Sequence, residues 1–360
     1  MRVPASLPKS ASKINNPLRK IEQPAYELNE QAFPKSYPVK FNVELSDPAN
    51  WANQPPQTTA KAWTIYDCKK MITVHSKNLD QKLEIASMTK IMTAFTCCKI
   101  MFGDLSCLEI NPRKIYFRAS YYASKICGTT AHIREGMRYS IYDLLVGLML
   151  PSGNDASLVL AENFGRFLII EGHRNSSQRL KDIVETDPYC SDMSRLHISR
   201  FVKRMNHEAA KLKLSNSSFS NPHGLSDKAN RSSAQDITRL TYAAMKFPLF
   251  CEIMNMFEYT SRHVYDWDSA RLDGCRGALV SQKWYNLNIL LTDPNKRYRG
   301  VKTGHTPNAG SCLCSLYVDE KKGYKFLIVV IGTQTNRHRF VETTKIMNWC
   351  ISHVYMKNSK

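Results

Sequence analysis

Strand patterns sit at both ends of the globular part of this chain, and helix patterns fill the stretch between them. Near the start, AWTIYD and MITVHS flank residues 68–70 and read as a hairpin. Near the end, 300–303, 311–318 and 325–333 read as strands, the last apolar enough to be central in a sheet. Between them, 88–101, 139–150, 156–167, 198–212 and 234–246 carry apolar residues at helical spacing, and 339–355 reads as a closing amphipathic helix. This order predicts one sheet whose first and last strands pair, with the helices packed against it. No internal repeat is visible.

Residues 1–60 do not share this pattern. They hold nine of the sixteen prolines, a density that blocks helices and ladders alike. Aromatics nonetheless punctuate the stretch at Tyr26, Phe33, Tyr37, Phe41 and Trp51. The expected organisation is an extended proline-rich arm over 1–60 and one domain over 61–360. The first twenty residues have no apolar h-region, so no secretory signal is expected. They carry five basic and no acidic residues, which leaves organelle targeting open.

Fifty Lys and Arg stand against 31 Asp and Glu, a net charge of +19. The arm has seven basic and five acidic residues, so +17 falls on the domain. An excess of this size suits a large acidic partner or a generally basic solvated surface. Nucleic acid is not expected, since no arginine-rich arm, zinc finger or ribonucleoprotein-type aromatic motif is present. No apolar run reaches the roughly 18 residues of a membrane span. Eleven cysteines, none in a C-x-x-C pair, are poor material for a disulfide framework or a zinc site. They read as reduced thiols in an intracellular, cytosol-like compartment.

Three short motifs carry chemistry. In Ser87-Met88-Thr89-Lys90, positions i and i+3 at a helix start share a face, so the lysine amine lies beside the serine hydroxyl. A lysine that loses its proton there can activate the serine as a nucleophile. In Ser152-Gly153-Asn154, a hydroxyl and an amide meet in a break between two helices. In Lys302-Thr303-Gly304, a lysine and a hydroxyl at a strand end can bind a carboxylate, and the glycine leaves room for a substrate backbone. Each motif alone is common and reads as ordinary structure.

Together, in this order, the three are specific. S-x-x-K, S-x-N and K-T-G form the signature set of serine penicillin-recognising enzymes. The segments IASMTKIMTAF, LLVGLMLPSGNDASLVLAENFG, FSNPHGLSD and GVKTGHTPNAGSCL resemble the D-alanyl-D-alanine carboxypeptidases among the low-molecular-weight penicillin-binding proteins. The resemblance runs over residues 62–355. It implies an α+β, β-lactamase-like fold: an antiparallel sheet flanked by helices, with a helical lobe and a cleft between. It implies Ser87 as acylated nucleophile, Lys90 as its base and Ser152 as proton relay. Asn154 would contact the substrate amide, and Lys302, Thr303 and Gly304 would bind the terminal carboxylate and backbone. The oxyanion hole would use the backbone N–H groups of Ser87 and His305. Asn221-Pro222-His223-Gly224 matches a family turn and reads as structural. No cofactor or metal is implied, and the substrate would be a peptide with a free C-terminal carboxylate or a β-lactam.

The chain also departs from the bacterial pattern. It shows no export signal, no C-terminal amphipathic anchor and no β-rich domain after the closing helix, and it adds the arm and a charged insertion at 172–192. A class A β-lactamase glutamate in a loop after S-x-N is not evident, because 156–165 reads as helix. Two functions are therefore expected in competition. One is a serine-type D-Ala-D-Ala carboxypeptidase-like hydrolase. The other is a catalytically idle fold serving as a structural component of a large intracellular assembly, such as a cytoskeletal filament, with an acidic partner.

Overall fold

Strand β11 (Tyr324–Thr333) explains the architecture best, because both of its faces are apolar. In a computed structural model of the protein, its alternate residues Leu327, Val329 and Ile331 join one core cluster, and Phe326, Ile328 and Val330 join the other. A strand buried on both sides must lie inside a sheet. It does: five antiparallel strands run in the order β2-β1-β11-β10-β9, with β1 (Ala62–Asp67), β2 (Ile72–Lys77), β9 (Tyr298–Thr306) and β10 (Gly310–Asp319). The first strand pairs with the last, from Ala62↔Ile331 to Asp67↔Phe326. The structure describes residues 54–105, 110–170, 191–264 and 279–355, all within the unit Val39–Lys360.

Helix α8 (His338–Trp349) covers one face of this sheet, with Ile346 and Met347 packing among Trp63, Ile65 and Val74. The other face meets helix α6 (Ala234–Ala244), which in turn packs on helix α1 (Thr89–Lys99). The helical lobe contains α3 (Ile141–Met149), α4 (Asn154–Ile170) and α5 (Ser191–Lys211), with α4 packed along α5 and against α3. Three helices begin at serine caps: Ser120 accepts from Ala123 N, Ser140 from Asp143 N, and Ser233 from Asp236 N. The short helices α2 (Tyr121–Ser124) and α7 (Pro248–Met254) complete the described helices used below.

Several expectations are adjusted. Tyr139 belongs to strand β5 (Arg138–Ser140), not to the helix that follows. Asn154 is the first residue of α4 and not part of the break before it. A second sheet, in the order β4-β5-β7-β8, has no counterpart in the sequence reading. Its strands are β4 (Tyr116–Arg118), β5, β7 (Glu258–Val264) and β8 (Leu279–Tyr285). EYTSRHV and LVSQKWY alternate too weakly in hydrophobicity to announce themselves. Two two-residue strands, β3 (Leu83–Glu84) and β6 (Arg231–Ser232), pair with each other beside the cleft.

The arm up to residue 53, and the charged insertion up to residue 190, lie outside the described residues. The last residues assigned to the arm are tied to the domain. Thr59 N and Ala60 N donate to Glu342 on α8, and Lys61 N donates to Ile331 O on β11. Among the described residues no helix is long and apolar enough to cross a membrane. All eight described cysteines are free thiols, and only Cys127 among them is exposed.

Candidate active site

The three motifs meet at one place, where the N-terminus of α1, the loop before α4 and the edge strand β9 converge. Ser87 sits in a short 3-10 turn, Ala86–Met88, that leads into α1. That turn has no side-chain cap, so the first amides of the helix are not consumed locally. Two glycines let other chain segments approach it. A Cβ on Gly304 of β9 would lie 3.0 Å from Ser87 N. A Cβ on Gly224 would lie 2.1 Å from Ala86 O, and Gly224 also has φ +88. Any side chain at either position would push the strand or the loop away from the serine.

Lys90 points from the first turn of α1 into this junction and is fully buried. Its Nζ lies 2.9 Å from Ser87 Oγ, 2.7 Å from Asn154 Oδ1 and 2.7 Å from His223 O. The last two are acceptors only. A neutral amine donates its two hydrogens to them, and its lone pair then faces the Ser87 hydroxyl. Burial drives Lys90 toward that neutral form, lowering its pKa to about 7 against the opposing charge of Asp155. The geometry and the protonation state agree on a serine that can donate its proton to lysine.

The neighbours of Lys90 are themselves fixed. Asn154 turns its Nδ2 to Cys127 O at 2.7 Å, so both ends of its amide are engaged. Asp155 accepts from Ala131 N, Ile133 N and Thr130 Oγ1, which holds the opposite loop against the start of α4. The turn at 221–224, expected to be structural, also reaches the site. Pro222 O accepts from Thr93 Oγ1 of α1 at 2.6 Å, and His223 O accepts from Lys90. His223 is half-buried, and its pKa is lowered to about 3 by desolvation and then by Lys90. Its Nδ1 accepts from Leu225 N, so the ring stays neutral and serves the turn.

Ser152 Oγ is buried and has no protein hydrogen-bond partner among the described residues. Its φ of +63, and that of +48 at Ala86 beside the serine, place two non-glycine residues in the left-handed region. Strain of this kind costs on the order of 1–3 kcal/mol per residue and gathers where function requires it. Lys302 is buried on β9 and donates to Thr303 O at 3.0 Å. Burial, then the charges of Lys90 and Arg339, hold its pKa well below the usual lysine range. Arg339, from the start of α8, donates from Nη1 to Gly304 O at 2.9 Å, and burial lowers its pKa. Its Nε is buried without a hydrogen-bond partner among the described residues. Three basic groups thus share one cleft, an arrangement that an anionic substrate group relieves. His305 differs: its ring is exposed and its Nδ1 contacts Ser311 Oγ at 3.0 Å.

The structure therefore brings Ser87, Lys90, Asn154 and Gly304 together and sets Lys302 where the Lys90 charge acts on it, with Ser152 two residues before Asn154 and Thr303 between Lys302 and Gly304. The sequence reading missed two contributors. Arg339 stands 35 positions after Gly304, beside Arg337 and His338, and belongs to none of the three motifs. The His223 contribution is a carbonyl, which every residue possesses, so no side-chain pattern could reveal it.

Comparison with known proteins agrees with this geometry. A family model described as D-alanyl-D-alanine carboxypeptidase, Peptidase_S11, matches residues 49–166 and 197–335. The chain belongs to that family. It is 28% identical over 284 residues to D-alanyl-D-alanine carboxypeptidase DacF of Bacillus subtilis, covering 78% of this chain and 59% of that protein. It is 28% identical over 278 residues to D-alanyl-D-alanine carboxypeptidase of Streptomyces sp. strain K15, covering 77% of this chain and 82% of the relative. This chain thus spans about three fifths of the length of the Bacillus relative. The crystal structure of the Streptomyces K15 DD-transpeptidase superposes with a TM-score of 0.67 at 24% identity, over 83% of this chain and 100% of that one. The fold is the β-lactamase-like α+β fold of these penicillin-recognising proteins.

Proposed function

We propose that the protein is a serine DD-peptidase that hydrolyses D-alanyl-D-alanine termini through an acyl-enzyme on Ser87. The observation that carries this reading is the Lys90 amine, buried and held so that its lone pair meets the Ser87 hydroxyl. Every side chain of the three motifs is present, which favours an enzyme over an idle structural component.

The step proceeds as follows. Ser87 Oγ attacks the carbonyl of the penultimate residue while its proton passes to Lys90 Nζ. The developing oxyanion is bound by the backbone N–H groups of Ser87 and His305. Lys302, Thr303 and Ser152 receive the terminal carboxylate, with Arg339 adding positive charge and bracing Gly304 on β9. Ser152 passes the proton from Lys90 to the leaving amine, so the C–N bond breaks and D-alanine departs. Water then attacks the ester, again deprotonated by Lys90, and restores the Ser87 hydroxyl.

Incubation with a fluorescent penicillin tests this directly. One adduct per chain is expected, mapping to the peptide that contains Ser87, and Ser87→Ala should remove it. A folded protein that shows no adduct by intact mass would falsify the reading. The compartment is a companion proposal: the free thiols suit a reducing, intracellular setting. Denaturing alkylation without reductant should then modify most cysteines, and three or more native disulfides would contradict it.

A further inference from the structure

Helix α5 presents an unusual outward face. It runs six turns along the helical lobe, with its inner side packed on α4 and α1. Its outward positions recur at 193, 196, 200, 203, 207 and 211, the three-and-four spacing of one helix face. From Met193 onward those exposed positions hold no acidic residue. Arg200 and Lys203 are exposed cations there, and Lys211 joins them at the last turn. The acid of this stretch, Glu208, is buried and taken by Arg204 at 2.7 Å and Lys211 at 3.5 Å. At the first turn two large apolar side chains also face outward, Met193 at 43% and Leu196 at 44% exposure. None of this belongs to the cleft.

We propose that this face of α5 docks on an anionic phospholipid surface. The stripe from 193 to 211 is about 27 Å long and straight, which suits a plane. Cations over that length meet lipid phosphates without any need for a matching protein shape. Met193 and Leu196 decide against a purely ionic partner such as a nucleic acid backbone. They gain nothing beside phosphates in water, whereas at a lipid surface they enter the headgroup and acyl boundary. This proposal is independent of the acylation chemistry and locates part of the excess positive charge.

Sedimentation of the full chain with phosphatidylcholine vesicles, plain or one-third phosphatidylglycerol, tests it. Binding is expected only to the anionic vesicles and is lost near ~1 M salt, where the Debye length shrinks to about 3 Å. The double variant Arg200→Gln, Lys203→Gln should bind about 25-fold more weakly, at about fivefold per cation. The pair Met193→Ser, Leu196→Ser should lose about tenfold through the lost apolar contact. All four positions are exposed, so circular dichroism and thermal melting should match the parent. The idea fails if the parent chain ignores the anionic vesicles or if the cation variant binds as well as the parent. It fails in favour of an acidic polypeptide if polyglutamate displaces the protein from vesicles while the apolar variant binds undiminished.

Discussion

Lys90 in the cleft and Glu162 in the helical lobe are two buried ionisable side chains that burial moves to the same value, about 7. Their surroundings make them opposites in use. Lys90 is held by two acceptors that exhaust its donors and leave its lone pair on a serine. Glu162 lies on α4, where Ser120 Oγ reaches both its oxygens at 2.9 and 2.8 Å, and Ser120 also caps α2. The hydroxyls that reach Glu162, those of Ser120 and Ser194, donate to its carboxylate and oppose the effect of burial, and neither belongs to the three motifs. Perturbed ionisation alone therefore does not mark an active site; the direction in which the freed lone pair points does. Glu162, the first glutamate after S-x-N, lies on α4 and contacts Ser120 of the lobe.

The comparison breaks most visibly at Lys90. Lys90→Met should slow penicillin acylation by roughly 10²–10⁴-fold, the scale of a lost general base, read from the time course of adduct mass. The same change should stabilise the fold at neutral pH. A lysine with a lowered folded pKa binds fewer protons folded than unfolded, so its contribution to stability falls as pH drops from 10.5 toward 7. An unchanged acylation rate would remove Lys90 from the mechanism.

Glu162→Gln should move stability and leave chemistry alone. The folded pKa is raised from 4.5 to about 7, so the folded state binds more protons in that interval. Stability is then fully present below pH 4.5 and lost as pH rises through 7. At pH 8 the amide should add up to about 3 kcal/mol, and at pH 4 little, by urea unfolding at the two pH values. A gain of equal size at both would show that burial does not hold the carboxyl neutral.

The smallest expected difference sharpens the contrast further. Parent acylation should rise about tenfold per pH unit below 7 and level above it, following neutral Lys90. Glu162→Gln should reproduce that profile with the same midpoint. A shifted midpoint would mean that the lobe and the cleft are coupled.

Much of this was legible beforehand. Period-two and helical patterns placed β1, β2, β10, β11 and the main helices, because those elements bury large apolar faces. The second sheet was not legible, because β7 and β8 alternate weakly in hydrophobicity. The site was legible as three motifs whose joint order is improbable by chance. Asn154 shows the limit: its residue type suggested a substrate contact, and only the fold shows that its Oδ1 also accepts from Lys90 while one Nδ2 hydrogen goes to Cys127 O.

The sequence by itself determined which chemical groups exist, in what order, and that first and last strands must pair, since β11 has no polar face to expose. Only the tertiary structure decided their protonation and aim. Lys90 is an ordinary lysine until α1, α4 and the 221–224 turn close over it and remove it from water. Arg339 enters the cleft because α8 folds back across the sheet to brace Gly304. Burial and three-dimensional convergence are properties of no local stretch of chain, so no local stretch could announce them.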